Sequence, residues 1–362
     1  MKFRKLVAAT LFTVLSSATA YPALAQEQVK LRYASLYSST DFYEVAAKYF
    51  IDEVTRRTNG NVTFETYYGG SLLKARELSP GVTAGATDIA VTVPGAFEPE
   101  QFPLTGVLLP YVTSNPYATT SAFKEMYENG DELKAEFDKY NQHLLFAMGS
   151  GENTLWTNKE VRTPADLKGQ RIRVTLGVAD ALAALGATPV GIPWSEALDL
   201  IQRGGVDGVS ATPFDQAVKT GLADIIPYVS DAGGSGSYAV VTVVMNKQKW
   251  EALDENTRAV MEEVADEMAG HYVDELDKEV ETMVEKLSSS PEVTVVEISD
   301  EEAEAWSGPG FEAAYDVWKG RAAGSVDDPD AFFERYRDIV EQKATERPYV
   351  SGIERYVAKQ GK

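Results

Sequence analysis

Segments typical of strands and helices alternate along the first part of the chain, and this order restricts the folds that it can adopt. Apolar residues at helical spacing occupy residues 43–58 and 72–84, with an interruption predicted at Pro80-Gly81. A β-α-β-α-β order favours parallel strands covered by helices, and ligands of such open sheets bind beyond the carboxyl ends of the strands. The strand patterns lie at residues 29–33, 62–68 and 88–93.

The same order returns between residues 144 and 212, which predicts a second α/β lobe. The apolar segment at residues 238–245 must then rejoin a sheet that is already formed. Residues 256–287 predict a helix that is long enough to cross between the lobes or to brace both of them. A charged helix at residues 331–343 is expected to be peripheral.

The first 25 residues carry the pattern of an export signal. Lys2, Arg4 and Lys5 form a basic start, residues 6–15 are apolar, and Ala23-Leu24-Ala25 is a small-x-small cleavage site. A membrane anchor is disfavoured, because spanning a bilayer takes about 20 apolar residues. No second apolar run of that kind follows in the sequence. We therefore expect cleavage after Ala25 and a soluble protein in the periplasm or outside the cell.

Charge and composition exclude several classes of function. The formal net charge of −21 disfavours nucleic-acid and anionic-membrane partners, which need a basic face. The chain has no cysteine and only two histidines, so disulfides and thiol catalysis are impossible and a histidine-rich zinc site is disfavoured. The sequence also lacks phosphate-binding loops, nucleophile elbows and metalloprotease motifs. We expect neither a cofactor nor a metal, and no enzymatic activity.

Four motifs resemble one known family. Their order is similar to that in the solute-binding proteins of tripartite ATP-independent periplasmic (TRAP) transporters, DctP type, and further matches extend over nearly the whole mature chain. The resemblance implies two α/β lobes that close on a small organic acid and deliver it to membrane permease subunits. The motifs are Asp-Leu-Lys-Gly-Gln-Arg-Ile-Arg-Val at residues 166–174, Leu-Gly-Ala-Thr-Pro-Val at 185–190, Trp-Ser-Glu at 194–196 and Gly-Val-Asp-Gly at 205–208.

The fold that this resemblance implies is α/β, a two-lobe periplasmic binding protein (type II-like) whose lobes are joined by crossing strands and a long helix. Some members dimerise, so we expect a monomer or a homodimer. The alternative functions are a ligand-sensing subunit for a signalling receptor and a secreted enzyme on the same scaffold. The expected division is a signal peptide at 1–25, lobe I at 26–150 with 239–278, lobe II at 151–238 with 279–330, and a C-terminal helical extension at 331–362.

The resemblance also implies a ligand-binding arginine. In that family an arginine in the Leu-Lys-Gly-x-x-x-Arg-Val segment pairs with the ligand carboxylate, and Arg173 stands at this position. A guanidinium offers a planar pair of donors that matches both carboxylate oxygens. Arg171 lies two residues earlier on the same face of the predicted strand and is the chief rival.

At two positions where sugar-acid binders of the family often have an arginine or an asparagine, this chain has other, uncharged side chains. Asn153, beside Glu152, stands near the place where those proteins often have a second arginine. Ser210 or Thr212 stands where an asparagine often contacts the carboxylate. These replacements leave one strongly cationic group in the predicted site.

Apolar and aromatic side chains occupy other pocket positions. Phe42 and Val93 fall where polar residues are common in sugar-acid binders, and Trp194 holds an aromatic position. The alternative for Phe42 and Trp194 is that they pack only in the lobe cores. With one cation and apolar walls, the predicted ligand is a monocarboxylate with a modest apolar or aromatic body. The candidate ligand-binding residues are Arg173, Asn153, Trp194, Phe42, Glu152, Ser210, Thr212 and Val93.

Overall fold

The computed structural model describes residues 28–192, 194–289 and 293–361. The predicted signal peptide at residues 1–25 and its cleavage site lie outside these ranges. Among the helices that are described, none has the length and apolar character needed to cross a membrane.

Strands and helices alternate within the described ranges. The strands are β1 (Val29–Ser35), β2 (Val62–Tyr67), β3 (Ile89–Thr92), β4 (Gln142–Gly149), β5 (Leu155–Thr157), β6 (Arg171–Val174), β7 (Thr188–Gly191), β8 (Gly208–Val209), β9 (Tyr228–Ser230), β10 (Val240–Asn246) and β11 (Thr294–Val295). The helices are α1 (Phe42–Arg57), α2 (Ala75–Thr83), α3 (Pro94–Phe97), α4 (Pro116–Asn129), α5 (Asp131–Lys139), α6 (Leu176–Ala184), α7 (Trp194–Gln202), α8 (Phe214–Lys219), α9 (Lys247–Glu251), α10 (Glu255–Ser288), α11 (Asp300–Ala322), α12 (Pro329–Glu346) and α13 (Gly352–Lys359).

The first sheet contains five strands in the order β2-β1-β3-β10-β4. β1 runs parallel to both β2 and β3, as the alternation of strands and helices predicts. β10 pairs antiparallel with β3 on one side and with β4 on the other. Every residue of β10 is buried, which accounts for its almost uninterrupted apolar sequence. The prediction that this late segment rejoins an existing sheet is confirmed.

The second sheet contains six strands in the order β11-β9-β5-β8-β6-β7. β6 runs parallel to β7 and β8, whereas β5 is antiparallel to β8 and β9. The two sheets and their flanking helices confirm the predicted α/β class with two lobes. The lobe boundaries and the assignment of residues 331–362 as a C-terminal helical extension stay predictions.

Two chain crossings between the sheets lie side by side. The first crossing follows β4 at Ser150, and the second precedes β10 at Ser237. The Ser237 hydroxyl donates to the carbonyl of Ser150 at 2.8 Å, and the amide of Tyr238 donates to the Ser150 hydroxyl at 3.0 Å. Both serines are buried, so these hydrogen bonds hold the two crossing segments together.

The long helix α10 spans 34 residues and confirms the predicted helix at 256–287. Asp254 caps its start and accepts a hydrogen bond from the amide of Thr257 at 3.1 Å. The helix packs on α1 and β4, which belong to the first sheet and its cover, and also on α8 and α13. It therefore contacts elements beside both sheets.

The interruption predicted in the second helix is wrong, because α2 continues through Pro80. The helix begins at Ala75. The residue before it, Lys74, donates its backbone amide hydrogen to the Glu77 carboxylate at 2.8 Å. Proline removes one backbone hydrogen bond from a helix. Leu78 and Val82, which are fully buried, anchor the helix on both sides of that position.

The expectation of a peripheral tail is also wrong, since α12 packs into the core on α4. Its buried side chains recur at helical spacing, but charged residues separate them and hide this pattern in the sequence. The buried residues are Phe332, Phe333, Tyr336 and Val340.

The sequence patterns did not predict α11, whose Gly308-Pro309-Gly310 segment is typical of a turn. The helix continues through this segment and has a buried tryptophan on each side of it. Trp306 packs in the core beside the second sheet and donates to the carbonyl of Arg162 at 3.1 Å. Trp318 packs in a core beside the first sheet and donates to the carbonyl of Pro103 at 2.9 Å. α11 therefore connects two separate cores.

We expect Phe333→Ala to lower the free energy of unfolding by about 3–5 kcal/mol, because it leaves a cavity under α12. Urea denaturation measures the change. Asp338→Ala, an exposed substitution on the same helix, is the control and should stay within about 0.5 kcal/mol of the wild type. Equal effects of the two substitutions would contradict a core role for α12.

Candidate ligand-binding site

The two candidate arginines on β6 have different surroundings. The side chain of Arg171 is 45% exposed, and its guanidinium forms an ion pair with Asp207. Arg171 donates from Nε to Oδ2 at 3.0 Å and from Nη2 to Oδ1 at 2.9 Å. Arg173, two residues further on, is only 2% exposed. Asp207 therefore neutralises Arg171 at the surface, while Arg173 lies inside the protein.

Arg173 is held by uncharged oxygens. Its Nε donates to the carbonyl of Ile192 at 3.1 Å, and its Nη1 donates to the carbonyl of Ala211 at 3.2 Å and lies 3.5 Å from the Thr212 hydroxyl. No carboxylate in the described ranges forms an ion pair with it. Burial lowers the pKa of the guanidinium, but arginine stays charged in proteins. A buried cation without a counter-ion is unfavourable, so the arrangement suits an anionic ligand.

Aromatic side chains lie close to Arg173. The guanidinium carbon is 5.4 Å from the centre of the Trp194 ring, at the start of α7, which is within range of a cation–π interaction. Tyr238 is a partly buried neighbour. Desolvation raises the pKa of its hydroxyl, and the charge of Arg173 opposes that rise. Gly177 lies so close to the backbone of Tyr238 that a Cβ atom added to this glycine would be 2.7 Å from the Tyr238 carbonyl oxygen. Tyr238 was missed, because the sequence shows it only as the start of a buried strand.

Asn153, Ser210 and Thr212, three of the candidate ligand-binding residues, lie together beside Arg173. The Asn153 amide nitrogen donates to the hydroxyls of Ser210 at 2.9 Å and Ser235 at 2.8 Å. Its amide oxygen accepts from the Ser210 hydroxyl at 3.1 Å and from the Thr212 backbone at 3.3 Å. All four residues are buried. The network fixes the loop whose carbonyls hold Arg173.

Comparison with known proteins identifies the family. The profile described as "Bacterial extracellular solute-binding protein, family 7" (DctP) matches residues 33–319. The chain belongs to the DctP family. The resemblance to TRAP solute-binding proteins is thereby confirmed, and the proteins of this family are periplasmic.

Individual relatives agree with this assignment. The ectoine-binding periplasmic protein TeaA of Halomonas elongata is 26% identical over 287 residues, which cover 76% of this chain and 80% of TeaA. An open TRAP periplasmic solute-binding protein from Desulfovibrio salexigens matches with a TM-score of 0.76 and 25% identity, covering 89% of this chain and 97% of that one. A TRAP solute-binding protein from Rhodoferax ferrireducens, in complex with copurified benzoate, has a TM-score of 0.76 and 21% identity, with coverages of 88% and 99%.

Glu152 of this DctP-family chain contacts the C-terminal segment. Its Oε2 accepts from the Tyr349 hydroxyl at 2.6 Å, and its Oε1 accepts from the Gly352 amide at 2.5 Å. Burial raises the pKa of this carboxyl, and the two hydrogen bonds oppose the rise. Both oxygens thus anchor the start of α13, and a role for Glu152 in ligand binding stays a prediction.

Phe42 and Val93 lie in the apolar core that also contains residues of α10. Phe42 begins α1, and its ring centre is 5.4 Å from that of Tyr272. Val93 follows β3 and is 9% exposed. The position of Phe42 agrees with the packing alternative that the sequence raised for this residue. Contacts of either residue with a ligand stay a prediction.

Acidic and histidine side chains do not form a metal cluster in the part of the chain that the structure describes. No group of three or more such residues is placed to hold an ion there. The chemistry of the Arg173 region is therefore that of a buried cation, hydroxyl groups and aromatic rings.

We expect Asn153→Ala to lower the free energy of unfolding by about 1–3 kcal/mol without ligand, because it removes the buried hydrogen bonds to Ser210 and Ser235. Urea denaturation tests this. Asn158→Ala, at an exposed position close by in the sequence, should change stability by less than about 0.5 kcal/mol. An unchanged stability in Asn153→Ala would show that the network does not support the loop.

Proposed function

We propose that this chain is an exported TRAP solute-binding protein that captures a small monocarboxylate with an apolar or aromatic body. In this proposal the lobes close over the ligand, and the protein delivers it to membrane permease subunits. The observation that carries the proposal is the buried charge of Arg173. This residue is 2% exposed, and in the described ranges it donates hydrogen bonds only to uncharged oxygens. A ligand carboxylate would supply the missing counter-ion through two parallel hydrogen bonds.

The surroundings of Arg173 favour one carboxylate over two. A second buried carboxylate would need its own cation, and the nearby Arg171 is already paired with Asp207. The rings of Trp194 and the partly buried Tyr238 suit an apolar or aromatic ligand body. The benzoate complex of the Rhodoferax ferrireducens protein is an example of such a ligand on the same fold.

Several further parts of the proposal rest on the sequence. The signal peptide at residues 1–25, with cleavage after Ala25, would export the chain. The lobe boundaries given above, with hinges near Ser150-Gly151 and at residues 233–237, would allow closure. The absence of a catalytic motif supports a binding protein rather than an enzyme, as do relatives that are themselves named as binding proteins.

We expect benzoate and mandelate to raise the melting temperature of the purified protein, because a ligand that binds only the folded state stabilises it. Succinate and gluconate should leave it unchanged at the same concentration, since they need more polar partners than Arg173 provides. A fluorescence thermal-shift series measures the effect. Stabilisation by succinate or gluconate alone would contradict the proposed ligand class.

We expect Arg173→Ala to weaken benzoate binding at least about 30-fold, because loss of one partner from a buried charge pair costs about 2–5 kcal/mol and 1.4 kcal/mol is tenfold. Isothermal titration calorimetry measures the dissociation constants. Arg171→Ala, two residues away on the same strand, is the matched control and should change affinity less than about fivefold. Equal losses in the two variants, or none in Arg173→Ala, would disprove the assigned role.

A further inference from the structure

A cavity lies between the start of α1, the start of α8 and the middle of α10. Of the predicted site residues, only Phe42 lines it. Its volume is about 180 Å³, whereas pockets for drug-sized ligands measure about 300–1,000 Å³. It therefore admits a group of only a few heavy atoms. Its walls include Asp41, Tyr43, Gly151, Asp215, Lys219 and Tyr272.

Asp215 is a buried carboxylate in the wall of this cavity. It lies in the first turn of α8 and is 4% exposed. Within the described ranges, no other residue donates a hydrogen bond to its side chain. Burial, and then the negative charges of Glu152, Glu279 and Asp41, raise the pKa of Asp215 to about 7. Such a carboxyl can be neutral by protonation, and a cation beside it would favour its ionised form.

Asp41 supplies a second carboxylate. It caps the start of α1, where its Oδ1 accepts a hydrogen bond from the Tyr43 amide at 3.1 Å. Burial raises the pKa of Asp41 to about 6, against the opposing effects of that hydrogen bond and of the Lys219 charge. Lys219 does not balance both acids, because its Nζ lies 2.7 Å from Oε1 of Glu279 in an ion pair of its own. The cavity wall is therefore negative in excess.

Aromatic rings complete the wall. The rings of Tyr43 and Tyr272 are nearly parallel, with centres 6.2 Å apart. Ring faces attract cations and also contact methyl and methylene groups. A metal ion usually needs more ligands than two carboxylates, and the described residues contain no group of three or more placed to hold one. Two carboxylates beside aromatic rings suit an organic cation instead.

We propose that this cavity binds a small alkylammonium group, with Asp215 and Asp41 as its counter-ions and the rings of Tyr43 and Tyr272 beside its carbon atoms. The group belongs either to a separate cation or to the far end of a zwitterion whose carboxylate reaches Arg173. The chemistry in the cavity is the same in both cases, and the variants below distinguish the two sources.

Isothermal titration calorimetry with methylammonium and tetramethylammonium chloride tests the proposal, with sodium chloride holding the ionic strength constant. At least one of the two cations should bind the wild type, and Asp215→Asn should bind it at least tenfold more weakly. Asp41→Asn should also bind it more weakly, although asparagine still caps α1. Asp224→Asn, at an exposed position after α8, is the matched control and should bind as the wild type does. No binding of either cation, or wild-type affinity in Asp215→Asn, would overturn the proposal.

The melting temperatures of the variants and the wild type, measured at pH 8 without added cations, show whether weaker binding results from misfolding. Asp215→Asn removes an unfavourable buried charge, so its melting temperature should be at least that of the wild type. A melting temperature of Asp215→Asn below that of the wild type, together with retained cation binding in Asp41→Asn, would count against the two carboxylates as counter-ions.

Arg173→Ala distinguishes the two sources of the ammonium group. Unchanged affinity for methylammonium in this variant, with no binding of 4-aminobutyrate to the wild type, supports a separate cation. Binding of 4-aminobutyrate that is weakened by both Arg173→Ala and Asp215→Asn supports a zwitterion. Binding that depends on Arg173 alone counts against the ammonium site. Failure of benzoate to bind would contradict the proposed monocarboxylate function and leave the methylammonium result to be judged by itself.

Discussion

A positive charge held by uncharged oxygens inside the protein is the constraint on which the candidate site depends. The carbonyls of Ile192 and Ala211 orient the Arg173 guanidinium, and the Asn153 network keeps the loop of Ala211 in place. The overall charge of −21 repels an anion at long range, although salt screens this repulsion beyond about 10 Å. Recognition of an anion therefore has to act at short range, where a dry environment strengthens the attraction of one guanidinium.

Much of the fold could be predicted from local patterns. The parallel strands β1, β2 and β3, the buried strand β10 and the long helix α10 all have the periodicity of their final structure. The errors arose where packing outweighs local preference. Pro80 lies inside a helix that Leu78 and Val82 anchor. Helix α11 continues through Gly308-Pro309-Gly310 because a buried tryptophan anchors it on each side of that segment. The buried aromatic face of α12 could not be recognised in the sequence, because charged residues lie between its aromatic residues.

The candidate site could be predicted only in part, for a related reason. Arg173 lies in a recognisable motif, but the distinction from Arg171 depends on Asp207, which is 36 residues away in the chain. The surroundings of Tyr238 and Asp215 are likewise produced by tertiary packing: neither residue carries a sequence signal that shows which charges lie near it. Glu152 is one of the predicted site residues, but its carboxylate accepts hydrogen bonds from Tyr349 and Gly352 in the C-terminal segment, which the sequence does not show.

Helix α11 has a consequence for how the sequence of this chain can change. Trp306 and Trp318 lie twelve positions apart, and an α-helix of that length rises roughly 18 Å at 1.5 Å per residue. The helix therefore sets both the distance and the angle between two tryptophans that are buried in different cores. One inserted residue would turn Trp318 about 100° away from its place beside Pro103. Substitutions in the exposed face of α11 are easily accommodated, whereas a change in its length between the tryptophans is not.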